Sequence, residues 1–446
     1  MATATPAIDH YIAEFSALRA RLPGRGLEWL DRSRESALDA FAHTGFPTPR
    51  HEDWKYTRVT PIEKRSFKFA EQNGIHVHTR DVERFHLGAL ECEQLVFVDG
   101  RYVDALSRRN VVDSGARITT LESAMNASSQ LLESHLGHYA SVTGQPFSAL
   151  NTAFMTDGAV IHVKNPGAGK PPIHLLFIAT REEVVAHPRI LVIAEAGSQM
   201  AVVESYTSLF DGCYFTNALT EIVLMEEARV DHYKLQEESI KAFHVATLQI
   251  HQGRNSRFVS HSFSFGGQLV RNDINVLLDA DGAGCTLNGL FMASGRQHVD
   301  YHTRIDHAKP HGTSEETYKG ILDGRARGVF NGRVKVHPGA QKTDAHQSNK
   351  NLLLSRDAEI DTKPELEIYA DDVKCSHGAT VGQLDEQTLY YLRSRGIGEA
   401  QARSLLTYGF AKDILDRVEL AQLRQKLTDE LLQRMPNAEQ LREMVQ

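Results

Sequence analysis

The chain has 446 residues, 41% hydrophobic and 24% charged, an ordinary composition for a soluble protein. Its 57 acidic and 49 basic side chains leave a formal charge of −8, which argues against nucleic-acid binding driven by clustered Lys and Arg. The length predicts about three units or one large elongated one. There is no apolar run of about 18 residues to cross a membrane and no basic-then-apolar leader, so a cytoplasmic protein with no membrane partner is expected.

The N-terminal stretch reads as helical. Ile8, Ile12, Phe15 and Leu18 recur at spacings of four and three and share one helix face. Leu27, Leu30, Leu38 and Phe41 predict a second helix, stopped by Gly45 and Pro47. The aromatic, proline-containing segment GFPTPRHEDWKYT follows at 45–57. Leu95–Val98 reads as a strand turned by Asp99-Gly100, and 120–155 as helical again.

From about 158 the period changes to short β-type runs, continuing to about 383 with little helix signal. Turn-like clusters at 197, 227, 254, 282, 312 and 339 recur at near-even steps of roughly 28 residues. A repeat of this length is the mark of a solenoid, and short strands at that period fit a β-helix. A large β-sandwich fits strand patterning alone equally well. After Gly382 the helical period returns, with a last helix expected at 418–435 before Pro436. Three parts are therefore expected: an N-terminal helical and mixed domain at 1–157, a β core at 158–383 and a C-terminal helical domain at 384–446.

The chemistry-bearing candidates are few. The glycine-rich NPGAGKPP at 165–172 fails as a phosphate loop, because Lys170 is followed by Pro171, which has no N–H. No nucleotide is expected to bind directly. Cys92, Cys213, Cys285 and Cys375 form no Cys-x-x-Cys pair and read as reduced, mostly buried thiols. His298, His302, His307, His311, His337, His346 and His377, with Asp300, Asp306 and Asp344, are a mild enrichment. They are open to two readings, a metal site or polar residues on outward strand faces. The sharpest local feature is Cys375-Ser-His377: residues two apart on a strand share a face, and thiolate with imidazole suits iron, zinc or copper(I). Lys374 and a protonated His377 are expected to lower the thiol pKa.

Several segments resemble a known family. GFPTPRHEDWKYT is similar to the N-terminal signature of the SufB/SufD family of iron–sulfur cluster assembly proteins, and 301–355 resembles that family's core. VKCSHGATVGQLDEQTLYYLRSRGI at 373–397, with the helix ending near Asp413, looks like its C-terminal segment. Lys-Cys-Ser-His-Gly at 374–378 resembles the SufD branch, and SNKNLLL at 348–354 lacks the cysteine that the SufB branch carries there.

The resemblance implies a mainly β protein, a right-handed parallel β-helix flanked by N-terminal and C-terminal helical domains. It implies a non-enzymatic subunit of the SUF scaffold that pairs with SufB, while the partner SufC supplies ATP hydrolysis. The cargo would be iron or an Fe–S cluster, transient and shared with SufB, with His377 a candidate ligand and Cys375 a weaker one. The C-terminal helices, through Leu405, Leu406, Phe410 and Ile414, are the candidate SufC dock. The assembled complex is a candidate flavin binder and the isolated chain a candidate homodimer. The alternatives are a SufB-like scaffold paralogue, a polysaccharide lyase built on a β-helix, and a stand-alone metalloenzyme using the His/Asp group.

Overall fold

The computed structural model describes residues 6–70, 77–88, 90–109, 115–164 and 170–445. The glycine-rich stretch at 165–169 lies outside the described residues. Two long sheets face each other, and from Gly158–Val163 to Lys374–Gly382 the chain passes between them, giving about eight turns of a parallel β-solenoid. The β-helix expectation thus holds over the sandwich. In one sheet Gln199, Arg229, Arg257, Gly284, Thr313, Asp344 and Lys374 stand in register, one from each successive coil. The coil period is therefore close to the spacing of the turn-like clusters in the sequence.

One corner of each coil is a left-handed residue: Gly197, Glu227, Asn255, Gly282, His311 and Lys342 all have φ between 54° and 71°. Each donates its backbone N–H to a carbonyl on the next coil, as Gly197 does to Glu226 and Asn255 to Asp281. The corners stack into a ladder of their own, which leaves few orphan backbone groups at the turns.

Inward side chains of both sheets form one continuous apolar cluster, from Leu95 and Phe97 at the first coils to Ala345, Ala358 and Ala370 at the last. The middle coils also hold charge. Glu204 accepts from Tyr206 (2.7 Å), Thr220 (2.9 Å) and His232 (3.1 Å), and Lys234 donates to Asn272 at 2.6 Å. Burial of these groups is offset by pairing each one.

Helices cover the outer faces. Glu28–Thr44 and the wholly buried Pro146–Phe154 bring Phe41, Phe147 and Phe154 onto Phe215, Phe243 and Leu269 of one sheet. Glu399–Leu415 and Ala421–Gln433 pack Ile414, Leu415, Leu423 and Leu427 on Tyr233, Leu235, Phe263 and Ile321 of the other. No helix among the described residues is long and apolar enough to cross a membrane.

The N-terminal segment also supplies strands: Glu93–Val98 pairs in parallel with Ile173–Ala179, and Ala116–Thr120 antiparallel with Gly158–Val163. Asp99 and Gly100, with φ of 48° and 81°, turn Glu93–Val98 into Arg101–Tyr102, the expected two-residue hairpin.

Candidate functional site

The last coil consists of Glu359–Ile368 in one sheet and Lys374–Gly382 in the other, and each is the terminal strand of its sheet. Every residue of 374–382 except Cys375 is exposed. Lys374 donates its N–H to Thr343 O at 2.8 Å, so this strand is paired on its inner edge. Its outer edge has no neighbouring strand among the described residues.

Alternation places Ser376 outward, where its Oγ lies 2.7 Å from His346 Nδ1. Cys375 and His377 take the opposite, interior face, as their spacing predicts. Cys375 stands in register with Ala345 and, one coil further in, Ser314, and it packs against the interior apolar cluster. His377 stands in register with Gln347, and Gln347 with Glu316.

The thiol differs from expectation. Partial burial first, then the Asp344 carboxylate, push Cys375 up rather than down. Lys374 and His377 do not dominate there, because Lys374 lies on the outward face and His377 at the exposed mouth. Cys375 is therefore a protonated, half-packed thiol in the free chain. Of the other cysteines only Cys285 is buried, and its thiol is pushed far up.

The remaining His and Asp residues do not converge. His302 pairs with Asp300 at 3.1 Å and His337 with Asp306 at 3.5 Å, at the middle and the end of the strand His298–His307, and His346 pairs with Asp344 at 2.9 Å on the other sheet. His307 is buried and faces Ser314 Oγ at 2.9 Å. Among the described residues no three His, Cys, Asp or Glu side chains are grouped to hold a metal. The outward-face reading describes His302, His337 and His346, while His307 is interior.

The Trp-Lys-Tyr-Thr segment has a structural task. The Arg271 guanidinium lies 3.8 Å from the Trp54 ring centroid and donates to Asp53 O, Asp273 and Asp300. Thr57 donates to Asp300, whose carboxyl His302 and Arg271 hold far below its ordinary range against the opposing effect of burial. This buried, doubly paired guanidinium under an indole rivets the N-terminal region to the outer face of the solenoid.

The four helical residues also have definite places. Ile414 is buried, while Leu405, Leu406 and Phe410 are half-buried within the C-terminal clusters. Lys319 Nζ sits 4.8 Å over the Phe410 ring and donates to its carbonyl. Among the described residues of these C-terminal helices the large apolar side chains left outward are Tyr390, Tyr391 and Met444, 74%, 55% and 46% exposed.

A parallel β-solenoid with helices on its outer faces and, among the described residues, an unpaired terminal strand at one end defines the fold class of the chain. The SUF system FeS cluster assembly SufBD core domain matches residues 177–410, and the SufBD protein N-terminal region matches 6–175. An iron–sulfur cluster assembly SufBD family protein of Synechocystis sp. is 35% identical over 426 residues, covering 93% of each chain. The iron–sulfur cluster assembly protein SufD of Escherichia coli is 33% identical over 403 residues, 90% of this chain and 92% of that one. SufD of Bacillus subtilis is 27% identical over 325 residues, 71% of this chain and 73% of its own. The chain belongs to the SufBD family, and its role lies in iron–sulfur cluster assembly by the SUF system.

Proposed function

We propose that this chain is a non-catalytic subunit of the SUF scaffold, working in the cytoplasm, that pairs with SufB through the open end of its solenoid. The observation that supports this most is a half-site on an unpaired edge. His377 and Cys375 share the interior face of a terminal strand whose outer backbone groups are free to pair. An edge of this kind is a template for a strand of another chain. SufB supplies the remaining cysteine or carboxylate ligands, and the nascent cluster is held between the two chains. A neutral imidazole is a good iron ligand and releases more easily than a thiolate, which suits cargo that must leave. Cys375, protonated and half-packed, is the weaker ligand of the two.

In the same reading the C-terminal helices carry SufC, the ATPase. Their inner face, including Ile414, is committed to the chain's own core. Leu405, Leu406 and Phe410 are half-buried and, with the outward Tyr390 and Tyr391, supply the apolar part of the contact.

The test is His377→Ala and Cys375→Ser, each co-expressed with SufB and SufC. Both complexes assemble; cluster content is lost with His377→Ala and falls less with Cys375→Ser. Normal cluster content in His377→Ala rules out the ligand role, and failure to assemble makes the residue structural. Retention of SufC by a Tyr390→Ser, Tyr391→Ser double variant at wild-type affinity places the dock away from that helix.

A further inference from the structure

Along the interior face at the open end, Glu316, Gln347 and His377 follow one another outward in register. Neighbouring strands lie about 4.8 Å apart, so in-register side chains on one face are within reach of each other. Glu316 and Gln347 are only 1% and 4% exposed, whereas His377 stands at the mouth. Gln347 Nε2 donates to Glu316 Oε2 at 2.6 Å. Gln347 Oε1 is buried and has no hydrogen-bond partner among the described residues.

A buried amide oxygen without a donor loses its hydration and gains no partner in return, so its retention calls for an explanation. The pose is also built for. A Cβ at Gly332, on the facing sheet, would fall 2.1 Å from Gln347 Nε2, so the residue opposite is one that leaves room for the amide. With its nitrogen tied inward to Glu316, Gln347 has its oxygen left for the next coil outward, and the side chain in register there is His377.

We propose that Gln347 is a positioning residue for His377: its Oε1 accepts an imidazole N–H, selecting one tautomer and leaving the other ring nitrogen as a lone pair at the mouth of the solenoid. This rests on the reading of His377 as a ligand. A neutral imidazole has one N–H and one lone pair, so occupying the donor decides which nitrogen can bind. Ligating histidines generally donate their second N–H in this way, and removing that acceptor costs about 10–100-fold in metal affinity. Glu316 acts one step further back, holding the amide against a flip that would turn N–H toward the imidazole.

The first arm of the test uses the unloaded full-length chain with ¹⁵N-labelled histidine. The His377 signal is assigned by its loss in His377→Ala, and the two ring-nitrogen shifts report the tautomer. A single tautomer is expected in the wild type and a mixture in Gln347→Met. A mixture in the wild type overturns the proposal, and that measurement needs only the assignment variant, not Gln347→Met, to fold.

The second arm uses the complex co-expressed with SufB and SufC, read as iron and acid-labile sulfide per complex and as affinity for added Fe²⁺. Gln347→Met lowers that affinity by about 10–100-fold, and Gln347→Glu, which keeps an acceptor oxygen, restores most of it. Unchanged cluster content in Gln347→Met overturns the positioning role. The two readings fail separately. Normal content in His377→Ala removes the ligand assignment, whereas loss there with normal content in Gln347→Met removes only the assignment of Gln347.

Discussion

At the first coils of the solenoid the interior is aromatic and aliphatic, with Phe97, Phe177 and Tyr206 stacked at 4.8 and 4.9 Å. At the last coils amides and a carboxyl join the apolar side chains: Gln347 on Glu316, Asn349 donating to Tyr318 O at 3.2 Å, and Thr362 donating to Asn349 Oδ1 at 2.9 Å. The edges differ in the same sense. The near end finishes in the short antiparallel strands Arg101–Tyr102 and Ala116–Thr120, the far end in the long parallel strands Glu359–Ile368 and Lys374–Gly382. Natural sheets blunt their edges with short strands and charge, because a long free edge recruits another chain. The near end follows that rule; at the far end Glu359–Ile368 also does, through its charges and Pro364, and only Lys374–Gly382 is left long and unblunted. Aromatic stacking is concentrated where the solenoid starts, and the proposed association falls where it stops.

The largest effect that this contrast predicts is on stability at the near end. Phe177 lies between two rings and is 6% exposed. Phe177→Ala therefore removes both stacked contacts and leaves a cavity, costing about 3–5 kcal/mol in chemical denaturation. Val381→Ala, also an apolar truncation but at a side chain 48% exposed at the far end, costs less than about 0.5 kcal/mol. Equal losses at the two positions would show that the far end is as tightly packed as the near one.

Next in size is a pH effect at the far end. Burial pushes the Glu316 carboxyl up to about 7, against about 4.3 in an unfolded chain. The folded state therefore binds this proton more tightly than the unfolded state does. The stability it contributes is complete below about pH 4 and is lost as pH rises toward 7. Glu316→Gln has no such proton, so between pH 5 and 8 its stability relative to the wild type rises by about 2–3 kcal/mol. Asp157, raised to about 6 by burial at the near end, is present in both chains and cancels in the difference. A difference that stays constant across that range would mean that Glu316 ionises normally.

Much of the near end was legible. The helix expected around Ile8–Leu18 is Pro6–Leu18, that stopped by Gly45 is Glu28–Thr44, and the Asp99-Gly100 hairpin is present. The coil period was legible too, although only in part through glycine. The left-handed corner falls on glycine at 197 and 282, on Asn255 and His311, which tolerate a positive φ, and on Glu227 and Lys342, which do not announce one. The far interior was not legible. AHQSNKN places Gln347 and Asn349 inside with no apolar alternation to mark the strand, so burial there comes from in-register polar partners that only the fold brings together. Cys375 and His377 could be placed on one face by spacing alone, but Gln347 lies a whole coil before His377, and Glu316 a whole coil before that. The role of Trp54 was likewise hidden, because Arg271 and Asp300 lie several coils into the solenoid, far along the chain from it.

The smallest predicted effect bears most directly on the far edge. Lys374 N–H points to the inner strand, and alternate residues of a parallel strand bond to opposite sides. Ser376, Gly378 and Thr380 therefore serve the chain's own ladder, while Cys375, His377, Ala379 and Val381 present their backbone groups to the free edge. Ala379→Pro deletes one outward N–H and sets a ring where a neighbouring strand would lie. The preceding Gly378 tolerates the restriction that proline imposes on its neighbour. Stability of the isolated chain should change by less than about 1 kcal/mol. One lost interchain hydrogen bond is worth about 1 kcal/mol, and the ring adds a clash, so affinity for SufB should fall at least about 10-fold. Thr380→Pro, one residue further on, reverses the pattern, because it breaks an internal ladder bond and destabilises the chain itself. Titration of SufB with the two variants, alongside denaturation of each alone, separates pairing from folding. Wild-type affinity in a folded Ala379→Pro chain would mean that pairing does not run along this strand.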